Sequence, residues 1–129
     1  MCEHCQNIIE KVWSKLEEGR QFRTPDLYKG KNFFIKEKYN QKITITPQNI
    51  SITKESFSST LHYLFQNDHY FKNQCEIRSS NSEKAAGPLC LVSRDKNSNV
   101  RCINYILPIL QNYQIVDIYQ KRPNKTWLV

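Results

Sequence analysis

Two cysteines lie close together at the start of the chain, in the tetrapeptide CEHC. Cys2 and Cys5 have the Cys-x-x-Cys spacing with which two thiolates on a turn hold a tetrahedral zinc ion. A structural site needs two more ligands, and Cys75, Cys90 and Cys102 are scattered along the rest of the chain. The pattern leaves two interpretations open: zinc bound as a cofactor at Cys2 and Cys5, or two thiols without a metal.

A few acidic and imidazole side chains have types that could support catalysis. Restriction-type nucleases place an aspartate ahead of an acidic-x-Lys strand, which holds a metal ion and positions a water. Asp68 followed by EIR at 76–78 is similar, but arginine replaces the lysine and stays protonated, so it cannot act as a base. His62 and His69 have aromatic neighbours, which favours packing over base catalysis. We therefore expect no catalytic residues, and a metal-dependent nuclease is the weaker alternative.

The overall charge of the chain favours a polyanionic partner. Nineteen Lys and Arg stand against twelve Asp and Glu, giving a net charge of +7. Basic charge of this size raises the expectation of nucleic acid as partner and argues against an acidic DNA mimic. The longest apolar run, at 106–110, is too short to span a bilayer, and the N-terminus lacks the pattern of a secretory signal. We expect a cytoplasmic protein that is not associated with a membrane.

The hydrophobic pattern predicts an α+β fold in which helices pack on a small antiparallel sheet. Apolar residues at helical spacing predict a helix over 5–18 that ends at Gly19, and alternation over 32–54 predicts a two- or three-stranded antiparallel meander. Thr53 is placed to cap a second helix. At most one short strand is expected near 75–78, ahead of a Ser/Asn-rich loop. We expect one domain over 1–129, or a subdivision into 1–80 and 81–129.

The last part of the chain predicts a helix pair and a β-hairpin. A short helix or turn is expected near 89–92, and a longer helix from about 100 to 112, capped by Ser98 or Asn99 and kinked by Pro108. Strands at 114–119 and 126–129 then flank a basic turn. A helix pair followed by a hairpin resembles the winged-helix family of DNA-binding domains, and the resemblance covers residues 86–129 at the level of pattern.

The winged-helix resemblance implies where nucleic acid would bind. The second helix of the pair would enter the major groove of double-stranded DNA with its solvent face, and the hairpin tip would contact phosphates. Trp127 continues a strand and is expected in the core. A solvated helix face and a solvated turn would use the same polar side chains. The nucleic-acid-binding residues implied are Arg94, Lys96, Arg101, Asn104, Tyr105, Lys121, Arg122 and Lys125.

These observations lead to three function hypotheses. The leading one is a small, intracellular, non-enzymatic protein that binds nucleic acid, as a regulator or an accessory module of a mobile element or defence system. The alternative is a protein–protein interaction module or inhibitor that docks on a larger nucleic-acid-processing enzyme, since aromatic side chains are enriched at interface hot spots. The nuclease is the third. Steep salt dependence of binding to free nucleic acid separates the first from the second.

Overall fold

The computed structural model describes residues 3–129, which fold as an α+β protein with two antiparallel sheets. The chain also contains a short 3-10 helix, Phe71–Asn73. The helices are α1 Glu3–Lys15, α2 Lys54–Gln66, α3 Pro88–Asp95 and α4 Ile103–Asn112. The strands are β1 Gln21–Arg23, β2 Asn32–Lys38, β3 Lys42–Thr46, β4 Ile50–Thr53, β5 Cys75–Glu76, β6 Val116–Tyr119 and β7 Lys125–Leu128.

The larger sheet has the order β1-β2-β3-β4, and all of its strand pairs are antiparallel. The predicted meander is confirmed over β2 to β4, where isoleucines alternate with polar residues and face the core. Strand β1 was not predicted, and only Phe22 of its three residues is buried. Gly19 has a φ of +88°, a conformation that glycine adopts without steric cost, and its N–H donates to the Ile35 carbonyl at 2.7 Å. The chain therefore reverses there from α1 into β1.

The smaller sheet has the order β5-β7-β6 and includes the predicted terminal hairpin. Val116 and Ile118 of β6 and Leu128 of β7 point into the core, while Tyr119 faces solvent. The two-residue strand β5 adds to the free side of β7, where Cys75 pairs with Thr126. A short strand at this place was predicted, and here it extends the hairpin into a three-stranded sheet.

Helix α4 is buried on nearly all sides. It packs on α3 and on strands of both sheets, β1 and β6. Its Tyr105 ring meets Phe33 of β2 edge-on, with centroids 5.2 Å apart. A helix that is apolar all round belongs in the interior. The predicted start and caps were wrong: the helix begins at Ile103, and Ser98 and Asn99 adopt left-handed backbone in the preceding turn.

The turn between α3 and α4 is tied to the larger sheet through Asn97, which is buried. The Asn97 side chain accepts from the Thr53 N–H at 2.9 Å and donates to the Ser51 carbonyl at 3.1 Å. Thr53 also caps α2 as predicted, accepting from the Ser56 N–H. One hydrophobic cluster includes side chains from α1 through to β7. Over residues 3–129, every helix is too short or too polar to cross a membrane.

Candidate nucleic-acid interface at the hairpin tip

The tip of the terminal hairpin is fixed to the loop between β1 and β2. Arg122 Nε donates to Asp26 Oδ2 at 2.7 Å, and the Leu27 N–H donates to the Gln120 carbonyl at 2.9 Å. Inside the tip, the Asn124 side-chain amide donates to the Gln120 and Lys121 carbonyls at 2.9 and 3.0 Å. These contacts give the basic turn a defined position against a loop nearly one hundred residues earlier in the sequence.

The docked tip encloses one side of an open cleft of about 640 Å³. The β1–β2 loop forms the second side, and the segment after β5, together with the start of α4, forms the floor. We call this depression the tip cleft. Its lining residues are Thr24, Pro25, Asp26, Lys29, Ile77, Arg78, Ser79, Asn104, Arg122, Pro123 and Asn124.

Cations dominate the lining of the tip cleft. Lys29, Arg78 and Arg122 stand against one carboxylate, that of Asp26. The Arg122 guanidinium, followed by the N–H groups of Lys29 and Tyr28, lowers the pKa of Asp26 from 3.8 to about 2. Asp26 therefore stays ionised at neutral pH and is largely satisfied within the protein. The net positive charge remains available to an anion.

The β1–β2 loop holds its shape through Arg23 and Asp26. The Arg23 guanidinium donates to the carbonyls of Asp26 and Leu27 at 2.9 and 3.1 Å, while Asp26 Oδ1 accepts from the Tyr28 and Lys29 N–H groups. A Cβ at Gly30 would lie 2.5 Å from the Asp26 carbonyl oxygen, so glycine is needed for this close approach of the backbone. The loop thereby fixes Lys29 at the cleft.

The floor of the tip cleft contains strained backbone. Arg78 has a φ of +44°, which is uncommon for a residue with a side chain. Its carbonyl accepts from the Gly87 N–H at 3.0 Å, and a Cβ at Gly87 would lie 2.8 Å from the Arg78 Cβ. The buried Arg94 guanidinium donates to the Ser80 carbonyl at 2.6 Å and so holds the same segment from below. The Ser79 hydroxyl is buried there without a hydrogen-bond partner in the described part of the chain.

The structure separates the eight residues that the winged-helix resemblance implied. Asn104 and Arg122 line the tip cleft, and Lys121 and Lys125 adjoin Arg122 in the tip and in β7. Arg101 is half-buried just before α4. Lys96 lies elsewhere, in a second polar depression with Glu10 and Lys54.

Two of the implied contacts are wrong because their side chains are buried. Arg94 is 1% exposed and serves the interior contact with Ser80, so it cannot reach a phosphate. Tyr105 packs against Phe33 beneath the larger sheet. Most of the expected solvent face of the second helix is therefore covered, and Asn104 is the implied α4 residue that lines the tip cleft.

The chain was compared with protein-family models, with curated proteins and with solved structures. None of them matches it. The geometry of the tip cleft therefore carries the functional argument.

Zinc at Cys2 and Cys5 was one interpretation of the sequence. Cys2 lies outside the described residues, and Cys5 faces the core from α1 with no exposed surface. Across residues 3–129, no three His, Cys, Asp or Glu side chains are grouped as metal ligands. Within the described residues, therefore, Cys5, Asp68 and Glu76 do not belong to a cluster of three potential metal ligands.

The buried thiols have little nucleophilic character. Burial raises the pKa of Cys75 to about 11 and that of Cys102 to about 12. Both are therefore protonated at neutral pH, and the thiolate is the reactive form. The cysteines of the described chain act as small apolar side chains in the core.

Sequence reasoning missed Asp26, Lys29 and Ser79, and it considered Arg78 only within the nuclease-like EIR pattern. These residues come from the β1–β2 loop and from the segment after β5, and neither has periodicity. A weak signal was available in the β1–β2 loop, where TPDLYKGK has the Pro-Asp and Gly residues of a structured turn. That signal predicts a turn, but it does not predict that the turn meets the hairpin tip.

Proposed function

We propose that this protein binds nucleic acid through the tip cleft, without catalysing a reaction. The observation that carries the proposal is the convergence of Lys29, Arg78 and Arg122 around one carboxylate that Arg122 already neutralises. Such a surface attracts phosphates by releasing their counterions. Asn104 adds a neutral hydrogen-bonding group at the floor.

The proposal keeps one part of the winged-helix resemblance, the contact of a hairpin tip with phosphates. Helices α3 and α4 are followed along the chain by the hairpin β6–β7, and β5 adds a third strand to that hairpin. The N-terminal sheet, however, covers α4. We therefore propose phosphate contacts by the hairpin tip and the β1–β2 loop, in place of base reading by a helix in the major groove.

The test is fluorescence anisotropy with labelled single-stranded and duplex oligonucleotides at three salt concentrations. The double variant Lys29→Glu/Arg78→Glu reverses two cleft charges. The control Lys36→Glu/Lys42→Glu makes the same change in net charge on the outer side of the larger sheet, where both lysines are exposed. We expect the cleft variant to lose affinity and its salt slope to fall by roughly 1.4–1.8, at 0.7–0.9 per phosphate contact.

The control variant distinguishes a site from general attraction. If both double variants weaken binding equally, net charge alone is responsible and the tip cleft is not the site. If neither oligonucleotide binds the natural sequence at low salt, the protein does not bind nucleic acid.

A protein–protein role is the second candidate, and exposed apolar side chains beside the tip cleft favour it. Tyr28 is 82% exposed and Leu27 is 42% exposed, on the loop that docks against the hairpin. Exposed large apolar groups beside cations suit an acidic protein partner. In that case, Tyr28→Ala would abolish capture of one protein, while binding to free nucleic acid would be absent at every salt concentration.

A further inference from the structure

The outer face of the smaller sheet presents a group of aromatic side chains. The strand register places Tyr119 of β6 opposite Lys125 of β7, and Trp127 two residues further along β7 on the same face. Phe71 of the 3-10 helix covers one side of Trp127, with ring centroids 5.6 Å apart and planes at 79°. We call Phe71, Tyr119, Lys125 and Trp127 the aromatic face.

These rings are accessible, which corrects the expectation that Trp127 is a core residue. Phe71 is 67% exposed, Tyr119 is 44% exposed, and Trp127 is half-buried on the solvent side of its strand. Side chains on the two core-facing positions of β7, Thr126 and Leu128, are buried instead. The alternation of the strand thus directs the indole away from the core.

The charges around the rings indicate the kind of ligand that fits. Lys125 lies between Tyr119 and Trp127 in the register, and Lys72 is exposed beside Phe71. Two acids share the face: Glu76 pairs in register with Lys125, and Asp117 accepts from Gln111 and from the Ile118 N–H. The two lysines and the two acids balance, so the rings supply flat apolar surface and the adjoining tip cleft supplies the positive charge. A ligand that suits both surfaces is an anion with flat apolar groups. Unpaired nucleotides meet both requirements, because every base has a π-face and every linkage a negative charge.

We propose that the aromatic face binds the unpaired bases of single-stranded nucleic acid. The inference rests on the proposed function and names its substrate class. The bases stack on Phe71, Tyr119 and Trp127, while the backbone contacts Lys125 and continues into the tip cleft. Asn124 lines that cleft and directly precedes Lys125, so the two surfaces adjoin. A duplex cannot use the face in this way, because its bases are already stacked on each other.

The test uses an oligodeoxythymidine and a duplex of the same length as probes, in the anisotropy assay. Phe71→Ala and Tyr119→Ser each remove one exposed ring. The matched control is Phe34→Ala, which removes an exposed ring from the outer side of the larger sheet. We expect each face variant to weaken single-strand binding by about 5- to 150-fold, the equivalent of losing one base stack. Tyr119→Phe keeps the ring and should retain affinity.

Tryptophan fluorescence gives a readout that does not depend on comparing affinities. The chain has two tryptophans, and Trp13 is 5% exposed in the core. Stacking of a base on Trp127 should quench emission in the natural protein, and Trp127→Phe should lose this quenching while it still binds.

The outcomes separate the inference from the proposed function. Equal affinity for the duplex and the single strand, or face variants that bind like Phe34→Ala, would overturn the inference while the tip cleft remains the site. Failure of both probes to bind at low salt would overturn both proposals. Stronger binding of the single strand, with loss in the two ring-deletion variants and retention in Tyr119→Phe, would support the aromatic face.

Discussion

The two sheets of this protein have similar inner faces and different outer faces. Both are antiparallel, and both cover the same core with aliphatic side chains. On the outer side, the larger sheet carries Lys42, Thr44 and Ser51, together with the exposed ring of Phe34 between Gln21 and Thr46. The smaller sheet carries Tyr119 and Trp127 on adjacent strands.

The outer face of the larger sheet needs no functional explanation, whereas that of the smaller sheet does. A polar outer face with scattered apolar residues is the normal result of packing one side of an antiparallel sheet. The smaller sheet instead has two rings on neighbouring strands, and the Phe71 ring packs against one of them. The packing of the core does not require these rings, because they lie on the side of the sheet that faces away from it. The comparison therefore directs functional experiments to the smaller sheet and assigns the larger one a supporting role.

The largest expected effect tests whether the inner faces are equivalent. Ile43→Ala in β3 and Ile118→Ala in β6 should each lower the free energy of unfolding by about 2–5 kcal/mol, because each removes a buried side chain and leaves a cavity. Urea denaturation measures both. A loss below about 1 kcal/mol at Ile118 alone would mean that the smaller sheet is loosely attached and that the comparison of inner faces fails.

The next effect concerns the support of the tip cleft. Gly87→Ala places a Cβ 2.8 Å from the Arg78 Cβ, so the segment after β5 must shift. We expect a loss of about 1–3 kcal/mol in unfolding free energy, together with weaker nucleic-acid binding. Gly19→Ala is the control, since it is strained by its positive φ but has nothing within 4 Å of the added Cβ and lies far along the chain. Unchanged binding in Gly87→Ala would contradict the role of Arg78.

A smaller effect on stability is expected at Phe71, on the outer face of the smaller sheet. Phe71→Ala should lower the unfolding free energy by about 0.5–1.5 kcal/mol, the worth of its edge-to-face contact with Trp127. Stability loss of this size leaves the fold intact, so any much larger loss of single-strand affinity reports on binding. A destabilisation comparable with that of Ile43→Ala would instead assign Phe71 to the core.

The smallest effect is a pH dependence at the cleft. The pKa of Asp26 is about 2 in the folded protein against an ordinary value of 3.8. A lowered pKa contributes stability above the unfolded value, and that contribution is lost as the pH falls towards 2. The stability difference between the natural protein and Asp26→Asn should therefore shrink between about pH 4 and pH 2. Thermal denaturation across that range measures it, and a constant difference would contradict the ion pair with Arg122.

The burial of helix α4 was predicted only in part from the sequence. The prediction gave this helix a solvent face that includes Arg101, Asn104 and Tyr105. The sequence INYILPILQN also contains Ile106 and Ile109, and both are fully buried. An apolar residue on every side of a helix indicates two packing partners. That signal was present, but the second partner, β1, is three residues long and has no pattern of its own.

Periodicity and turn chemistry were sufficient to predict the α+β class, the meander, the cap at Thr53 and the terminal hairpin, because both are local properties of the chain. They could not predict that α4 is largely covered, that Arg94 and Tyr105 are buried, or that Asp26 meets Arg122 across ninety-six positions, all of which the folded structure shows. The folded structure also places the Trp127 side chain on the solvent side of the smaller sheet. These outcomes depend on contacts between distant segments, and the free energy of such contacts comes from burial and charge pairing that no local spacing encodes.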